Sequence, residues 1–363
     1  MSVNVVLAGG GTAGHTSPLI ATAERVRRLS PQARLVCVGT PKGLESRVIP
    51  DAGLDLELIP PVPLPRRLRP ELAAVPVRLA KAVRCARKIL RDAEADVVVG
   101  FGGYVALPAY LAAQTMGVPV VLHEQNAVPG LANKVAARFA RHVAVTFPGT
   151  ALPRAEHIGL PMRDAIVTLD RPVARASARA AFGLPADGPV LLVSGGSQGA
   201  RSINAAAIGA LDRLREAGVS VLHVLGPANL TDDVAARESA AYRPVAYVAD
   251  MAQAYAAADL MVGRSGAGTV METAVVGLPT IFVPLPHGNG EQAKNARFLV
   301  DAGAGVEVAD AALDAEVLAG QVLALAGEPR RLEQLGRTAR SLVAPDAAEV
   351  LARVVVELAG TAR

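Results

Sequence analysis

Tryptophan is absent and aromatic residues make up only 3% of the 363 residues, so a composition that is 51% hydrophobic must build its interior from Ala, Val, Leu and Ile. That palette suits parallel sheets covered by helices, whose strands read as unbroken aliphatic runs. Cysteine is scarce: Cys37 lies in an apolar strand pattern, Cys85 in a basic helical one, and neither belongs to a CxxC pair. A disulfide framework and a structural metal are therefore not expected, and the compartment should be reducing and cytoplasmic. No run approaches the roughly 20 apolar residues of a membrane-crossing helix. The opening MSVNVVLAGGG has no basic segment before its apolar run, so it reads as a first strand and not as a signal peptide. Any membrane contact should then be peripheral.

Charge of either sign is modest. Charged residues are 19% of the chain with a net +4, a mild excess that fits an acidic ligand or an anionic lipid surface and gives no reason to expect a nucleic acid. The length favours two domains over one core.

Short aliphatic runs alternate with longer helical segments: NVVLAG, RLVCVG, DLELIP, DVVVGFGG, PVVLHEQ and HVAVTF, then VLLVSGG, VSVLHVLG, VAYVAD, DLMVGRSG and TIFVPLP. This is the βαβ rhythm of parallel, doubly wound α/β sheets with right-handed crossovers. It breaks once, in the Pro-, Arg- and Ala-rich stretch from Gly159 to Pro189, which places the domain junction near residues 160–165. The expected organisation is a first domain over 1–162, a second over 163–343, and a helix over 344–363 that either packs on the second domain or crosses back to the first.

Three glycine turns follow strands and precede helices: Gly9–His15 (GGGTAGH), Gly100–Tyr104 (GFGGY) and Gly195–Ala200 (GGSQGA). Such a turn lets backbone N–H groups and a helix N-terminus approach an anion. One alone needs no ligand, because any tight turn favours glycine; three in equivalent places favour a phosphate-bearing ligand. The first satisfies GxGxxG, which in a dinucleotide-binding unit calls for an acidic residue ending the second strand. RLVCVG instead runs into Gly39, Thr40, Pro41 and Lys42, and the nearest carboxylate, Glu45, lies beyond the turn. No glycine loop is followed by Lys-Ser or Lys-Thr, which removes the Walker A reading.

A further turn, Arg264–Thr269, precedes a helix whose first turn is expected to hold Glu272, a carboxylate able to accept from a ribose diol. An acid stabilising a helix N-terminus would explain the same residue. His287–Gln292 forms a polar loop after the next strand, where open α/β sheets bind ligands.

GGTAGH, GFGGYVALP, HEQNAVPGLANK, GLPMR, GGSQGARSIN, YVADMAQAYAAADLMVGRSGAGTVMET and PLPHGNGEQAKNA, in this order from residue 5 to about 300, resemble the MurG family of bacterial N-acetylglucosaminyltransferases. The resemblance implies a GT-B fold, two Rossmann-like domains facing a cleft. It also implies inverting transfer of N-acetylglucosamine from UDP-N-acetylglucosamine to undecaprenyl-pyrophosphoryl-muramyl-pentapeptide, the step from lipid I to lipid II in peptidoglycan synthesis. By motif, Thr12, Ala13, Gly14 and Asn126 should face the transferred sugar and diphosphate, with Arg163 near the diphosphate and Ser197 on phosphate. Val248 should meet uracil through its backbone, Ala267, Gly268, Thr269, Val270, Met271 and Glu272 should wrap the sugar and ribose, and Gln292 should hold a sugar hydroxyl. Ala13 stands where the family more often has glycine, and Gly268 where it often has a bulkier apolar residue.

The acceptor hydroxyl must lose a proton as the anomeric bond opens. His15 is the candidate base, with Glu124 second, either as base or as a partner orienting another group. Loop amides, helix N-termini and Arg163 would neutralise the leaving diphosphate without a metal or other cofactor. The segment Arg66–Asp92 is basic, with apolar residues at helical spacing. It reads either as a solvated surface helix or as a monotopic face on anionic lipid at the cytoplasmic side of the membrane. Another GT-B transferase and a non-catalytic nucleotide-binding module are the alternatives.

Overall fold

The computed structural model describes residues 3–62 and 74–361, and the chain divides into two compact units, Met1–Arg163 with Pro345–Arg363, and Asp164–Ala344. The first unit contains the strands β1 (Asn4–Ala8), β2 (Arg34–Gly39), β3 (Asp55–Leu58), β4 (Val97–Gly100), β5 (Val120–Glu124), β6 (His142–Val145) and β7 (Ala155–His157). Its helices are α1 (Ala13–Leu29), α2 (Glu45–Asp51), α3 (Val75–Asp92), α4 (Gly103–Met116) and α5 (Leu131–Ala136). Among the described residues these strands form one sheet in the order β3-β2-β1-β4-β5-β6-β7, parallel throughout.

Strand β1 shows why aliphatic runs were needed. Val6 and Ala8 face a core with Ala86, Ile89 and Leu90 of α3 and Val105, Ala109 and Tyr110 of α4. Val5 and Leu7 face the opposite core with Leu19 and Val26 of α1 and Ile49 of α2. Both sides of the pleat are dry, so Val5 to Ala8 are all apolar.

The second unit begins with α6 (Asp164–Val167) and α7 (Arg171–Ala181). It continues through β8 (Val190–Ser194), α8 (Arg201–Glu216), β9 (Ser220–Val224), α9 (Asp232–Ala235), β10 (Tyr242–Val245), α10 (Met251–Ala257), β11 (Leu260–Gly263), α11 (Ala267–Val275), β12 (Thr280–Phe282), α12 (Glu291–Val300), β13 (Val306–Glu307), α13 (Ala315–Ala326) and α14 (Pro329–Ser341). Its sheet runs β10-β9-β8-β11-β12-β13, again parallel. The last helix, α15 (Ala347–Thr361), belongs to the first unit, where Leu351, Ala352 and Val355 complete the core beneath α1.

Buried arginines fix α7 to the second unit. Arg179, 1% exposed, donates to the carbonyls of Ala257, Ala186 and Gly188 and to Asp259. Arg171 donates to the carbonyls of Tyr255, Ala258 and Gly277. The Pro- and Arg-rich stretch that interrupts the strand rhythm is thus a clasp over the backbone ends of neighbouring elements.

Three local expectations are corrected. The strand anticipated at VAYVAD lies earlier, at Tyr242–Val245, where it pairs with β9. Pro244 is tolerated because β10 is an edge strand. The residues after it lead into Asp250, whose carboxylate caps α10 by accepting from the Ala252 N–H. Asp232 and Asp233, in a polar stretch that reads as a turn, open the short helix α9. The edge strands β7 and β13 are too short to show a hydrophobic period.

Candidate donor and transfer site

Each sheet reverses its strand order once, between β1 and β4 in the first unit and between β8 and β11 in the second. Ligands of open α/β sheets bind beyond the carboxyl ends of strands at such a reversal. The turns that follow these four strands are GGGT, FG, GGSQGA and RSG, so the glycine motifs mark the switch point of each unit.

In the second unit, the GGSQGA turn must be glycine for internal reasons. Gly199 has φ +73, and a Cβ there would lie 1.8 Å from the Leu225 carbonyl oxygen. Ser197 is exposed in this turn, ahead of α8, whose first residue is Arg201. Val248 is buried in the connection from β10 to α10.

Helix α11 begins at Ala267 after Gly266, which puts Glu272 in its second turn and not its first. Stabilisation of the helix N-terminus, strongest in the first turn, therefore does not account for this carboxylate. It is half-buried and its Oε2 accepts from the Tyr255 hydroxyl at 2.8 Å. Tyr255 is 2% exposed on α10; a buried phenol of this kind orients the carboxylate it donates to. Ala267, Val270 and Met271 are buried, while Gly268 and Thr269 are partly exposed.

Gln292, in the first turn of α12, has its side-chain oxygen accepting from the Leu285 N–H at 3.0 Å, and its backbone carbonyl accepts from the Ser265 hydroxyl at 2.9 Å. A clamp that the sequence pattern did not single out braces the same loops. Arg264 donates to the carbonyls of Val283 and Pro284, to Asp310 at 2.6 Å and to the Ser202 hydroxyl at 3.0 Å. Asp310 also accepts from Ser202; these hydrogen bonds and the Arg264 charge hold its carboxyl below the usual range despite partial desolvation. A partly buried charge pair of this kind is weak evidence for added stability, while its four hydrogen-bond partners tie the loops together.

In the first unit, Thr12, Ala13 and Gly14 are exposed at the start of α1. His15 follows, half-buried, with its Nδ1 2.9 Å from the Thr12 hydroxyl. Desolvation pushes its pKa down to about 4, partly countered by the negative charge of Glu45, so the imidazole is neutral at physiological pH. Glu45 is not remote from the loop, as its place beyond the turn suggested: it is wholly buried beneath it and accepts from the Gly11 N–H at 2.8 Å. A dinucleotide pyrophosphate seated on this loop would compete for that N–H and meet a negative charge, which argues against the oxidoreductase pattern.

Glu124, 2% exposed, accepts from the backbone N–H groups of Asn126 and Gly130, each at 2.9 Å, and from the Asn133 amide at 2.9 Å. Desolvation raises its pKa, with these hydrogen bonds opposing the shift. Of the two roles considered for it, these bonds favour orientation: Glu124 ties the HEQN turn to the start of α5. Asn126 is partly exposed on that turn. Arg163 is exposed at the end of the first unit.

Helix α3 spans the described part of the basic segment; residues 66–73 lie outside the described residues. Its apolar positions Ala82, Ala86, Ile89 and Leu90 are buried in the core, while Arg78, Lys81, Arg84, Arg87 and Lys88 are exposed. A monotopic helix would turn its apolar face to lipid. Here that face is already occupied, and among the large apolar side chains of α3 that are described it is Val77, 73% exposed, that interrupts the charged surface. No helix of the described residues is long and apolar enough to cross a membrane.

The glycosyltransferase family 28 N-terminal domain matches residues 5–145 and the family's C-terminal domain residues 190–351. A UDP-N-acetylglucosamine–N-acetylmuramyl-(pentapeptide) pyrophosphoryl-undecaprenol N-acetylglucosamine transferase of Cutibacterium acnes is 57% identical, covering 98% of each chain. The transferase of the same name from a Nocardioides species is 53% identical, again over 98% of each. The crystal structure of MurG from Acinetobacter baumannii superposes with a TM-score of 0.77 at 30% identity, covering 97% of this chain and 99% of that one. With both units matched and the relatives aligned from end to end, the chain belongs to the MurG family of glycosyltransferases, built as two Rossmann-like units of the GT-B class.

Proposed function

We propose that this protein transfers N-acetylglucosamine from UDP-N-acetylglucosamine to the lipid-linked N-acetylmuramyl-pentapeptide, converting lipid I to lipid II with inversion at the anomeric carbon. The end-to-end match to transferases named for this reaction carries the reading. In the second unit the uracil lies against the Val248 backbone and the ribose hydroxyls donate to Glu272. Ser197 and the amides of its turn take phosphate, and Ala267–Met271 and Gln292 enclose the sugar. In the first unit Thr12, Ala13, Gly14 and Asn126 face the sugar and diphosphate, with Arg163 beside the leaving group.

Neutral His15 accepts the proton of the acceptor hydroxyl as the oxygen attacks the anomeric carbon and the bond to the diphosphate opens. With Thr12 on Nδ1, Nε2 is the nitrogen that takes it. The departing diphosphate is stabilised by groups already in place, which needs no reorganisation during the reaction. The domains are taken as Met1–Arg163 with Pro345–Arg363, and Asp164–Ala344.

The protein works peripherally at the cytoplasmic face of the membrane, drawn by charge through the exposed side of α3. Replacing Arg78, Lys81, Arg84 and Arg87 together by Glu should weaken binding to anionic vesicles by at least about 10-fold, since each basic group near such a surface contributes about 1 kcal/mol. Undiminished vesicle binding would remove this face. The reaction itself is tested by UDP release from UDP-N-acetylglucosamine. Release that requires the lipid-linked muramyl acceptor supports the transferase; binding without turnover leaves a nucleotide-binding module.

A further inference from the structure

Three loops meet at the carboxyl ends of β2, β1 and β4, and one carboxylate joins them. Glu45 Oε2 accepts from the Gly11 N–H of the first glycine loop at 2.8 Å. Its Oε1 accepts from the Thr40 N–H at 3.1 Å and the Thr40 hydroxyl at 2.8 Å. The Thr40 proton is committed to Glu45, so the Tyr104 hydroxyl, 3.3 Å away, donates to Thr40. Tyr104 stands at the start of α4 in the second glycine loop. The chain clears side chains from several directions to admit the carboxyl group: a Cβ at Gly10 would lie 2.6 Å from Glu45 Cδ, at Gly39 2.7 Å from its Cγ, and at Gly43 2.0 Å from its Oε1. The two glycine loops also touch directly, since a Cβ at Gly103 would lie 2.6 Å from the Gly10 carbonyl oxygen.

Burying a carboxylate is unfavourable unless it is fully paired, and even then an apolar replacement is often as stable. Stability alone therefore gives little reason for Glu45. What directional hydrogen bonds supply is a fixed loop shape, and the loop in question carries Thr12, Ala13, Gly14 and His15 at its exit.

We propose that Glu45 is a positioning residue of the transfer reaction, locking both glycine loops of the first unit so that Thr12–His15 meet the acceptor hydroxyl and the reacting sugar in one geometry. The inference rests on the transferase reading given above. Glu45 touches no substrate; it acts through Gly11 on one side and through Thr40 and Tyr104 on the other. That reading places uracil, ribose and most of the phosphate contacts on the second unit and only one flank of the diphosphate on the first, so UDP affinity should change far less than turnover.

The test is Glu45→Gln, which keeps the shape and one acceptor oxygen but sets an amide N–H against a backbone N–H. With the full-length protein, kcat and KM for the lipid-linked acceptor, the Kd for UDP and the thermal midpoint are measured together. We expect kcat/KM for the acceptor to fall about 10- to 100-fold, the size of effect a misplaced reacting group produces. The UDP Kd should hold within about two-fold and the midpoint near wild type. An unchanged kcat/KM overturns the proposal, and so does a loss matched by an equal loss of UDP affinity, which would mark Glu45 as merely structural. If Glu45→Gln melts early, Thr40→Val carries the same two outcomes, because it leaves the carboxylate on the Gly11 and Thr40 N–H groups and removes the hydroxyl that joins it to Tyr104. Wild-type turnover is established first: an inactive wild type strikes the transferase reading, whereas an active wild type with an equally active Glu45→Gln strikes this inference alone.

Discussion

The first glycine loop and the Arg264–Thr269 turn have the same outline, strand, glycines, helix, yet their glycines answer to different demands. Around Gly10 the space is taken by the protein's own Glu45, and Gly11 has φ +89 with its N–H already engaged. Gly266 and Gly268 have no atom within 4 Å of an added Cβ and no positive φ. Nothing inside the chain calls for glycine at either position, and Gly268 even weakens the helix it sits in. A shared motif thus conceals one loop shaped by internal packing and another that leaves its surface clear for something outside the chain.

The largest effect that would sharpen this contrast is on stability. Gly10→Ala, forced against the buried Glu45 carboxyl, should cost about 1–3 kcal/mol in denaturant unfolding, whereas Gly266→Ala should change stability by less than about 0.5 kcal/mol and weaken UDP binding instead. Equal unfolding midpoints for the two variants would break the comparison. Acid should act on both units alike. Burial holds His123 of the first unit and His223 of the second at about 4, like His15. The unfolded chain binds these protons near pH 6.5 and the native state does not, so stability present above pH 6.5 should be lost as pH falls toward 4. Each histidine contributes at most about 1.4 kcal/mol per pH unit. Glu124, displaced upward, works in the opposite sense. A flat unfolding midpoint between pH 6.5 and 4.5 would contradict this.

Smaller effects probe the ligand side. Glu272→Ala should weaken UDP about 10- to 100-fold by removing hydrogen bonds to a charged acceptor; calorimetry showing an unaltered Kd would withdraw the ribose role. Tyr255→Phe removes only the group that orients this carboxylate and should weaken UDP about five-fold, about 1 kcal/mol. An effect as large as that of Glu272→Ala would mean that Tyr255 meets the nucleotide itself.

Much of this was legible from residue order. Aliphatic runs announce strands buried on both faces, and the glycine turns mark the ends of β1, β4, β8 and β11. Glu272 was singled out as a ribose ligand, but its place on the helix was misjudged because the start of α11 depends on where Gly266 leaves the strand. Glu45 carries no local signal, because a dinucleotide site wants its acid at the strand end and nothing nearby in the chain says that α2 folds that side chain back beneath a loop 34 residues away. The basic segment was read as a helix with an apolar stripe, but whether that stripe faced lipid or core depended on α4 lying beside it.

Periodicity, glycine placement and the run of motifs, all properties of neighbours along the chain, determined the α/β class, the strand sites and the family resemblance. Tertiary structure alone decided that Glu45, Thr40 and Tyr104 form one junction, that Tyr255 aims Glu272, and that Arg264, Ser202 and Asp310 brace the loops after β11 and β12. Hydrogen bonds of a few ångströms between residues far apart in sequence leave no periodic trace in it, because each partner's local surroundings are satisfied by many other residues.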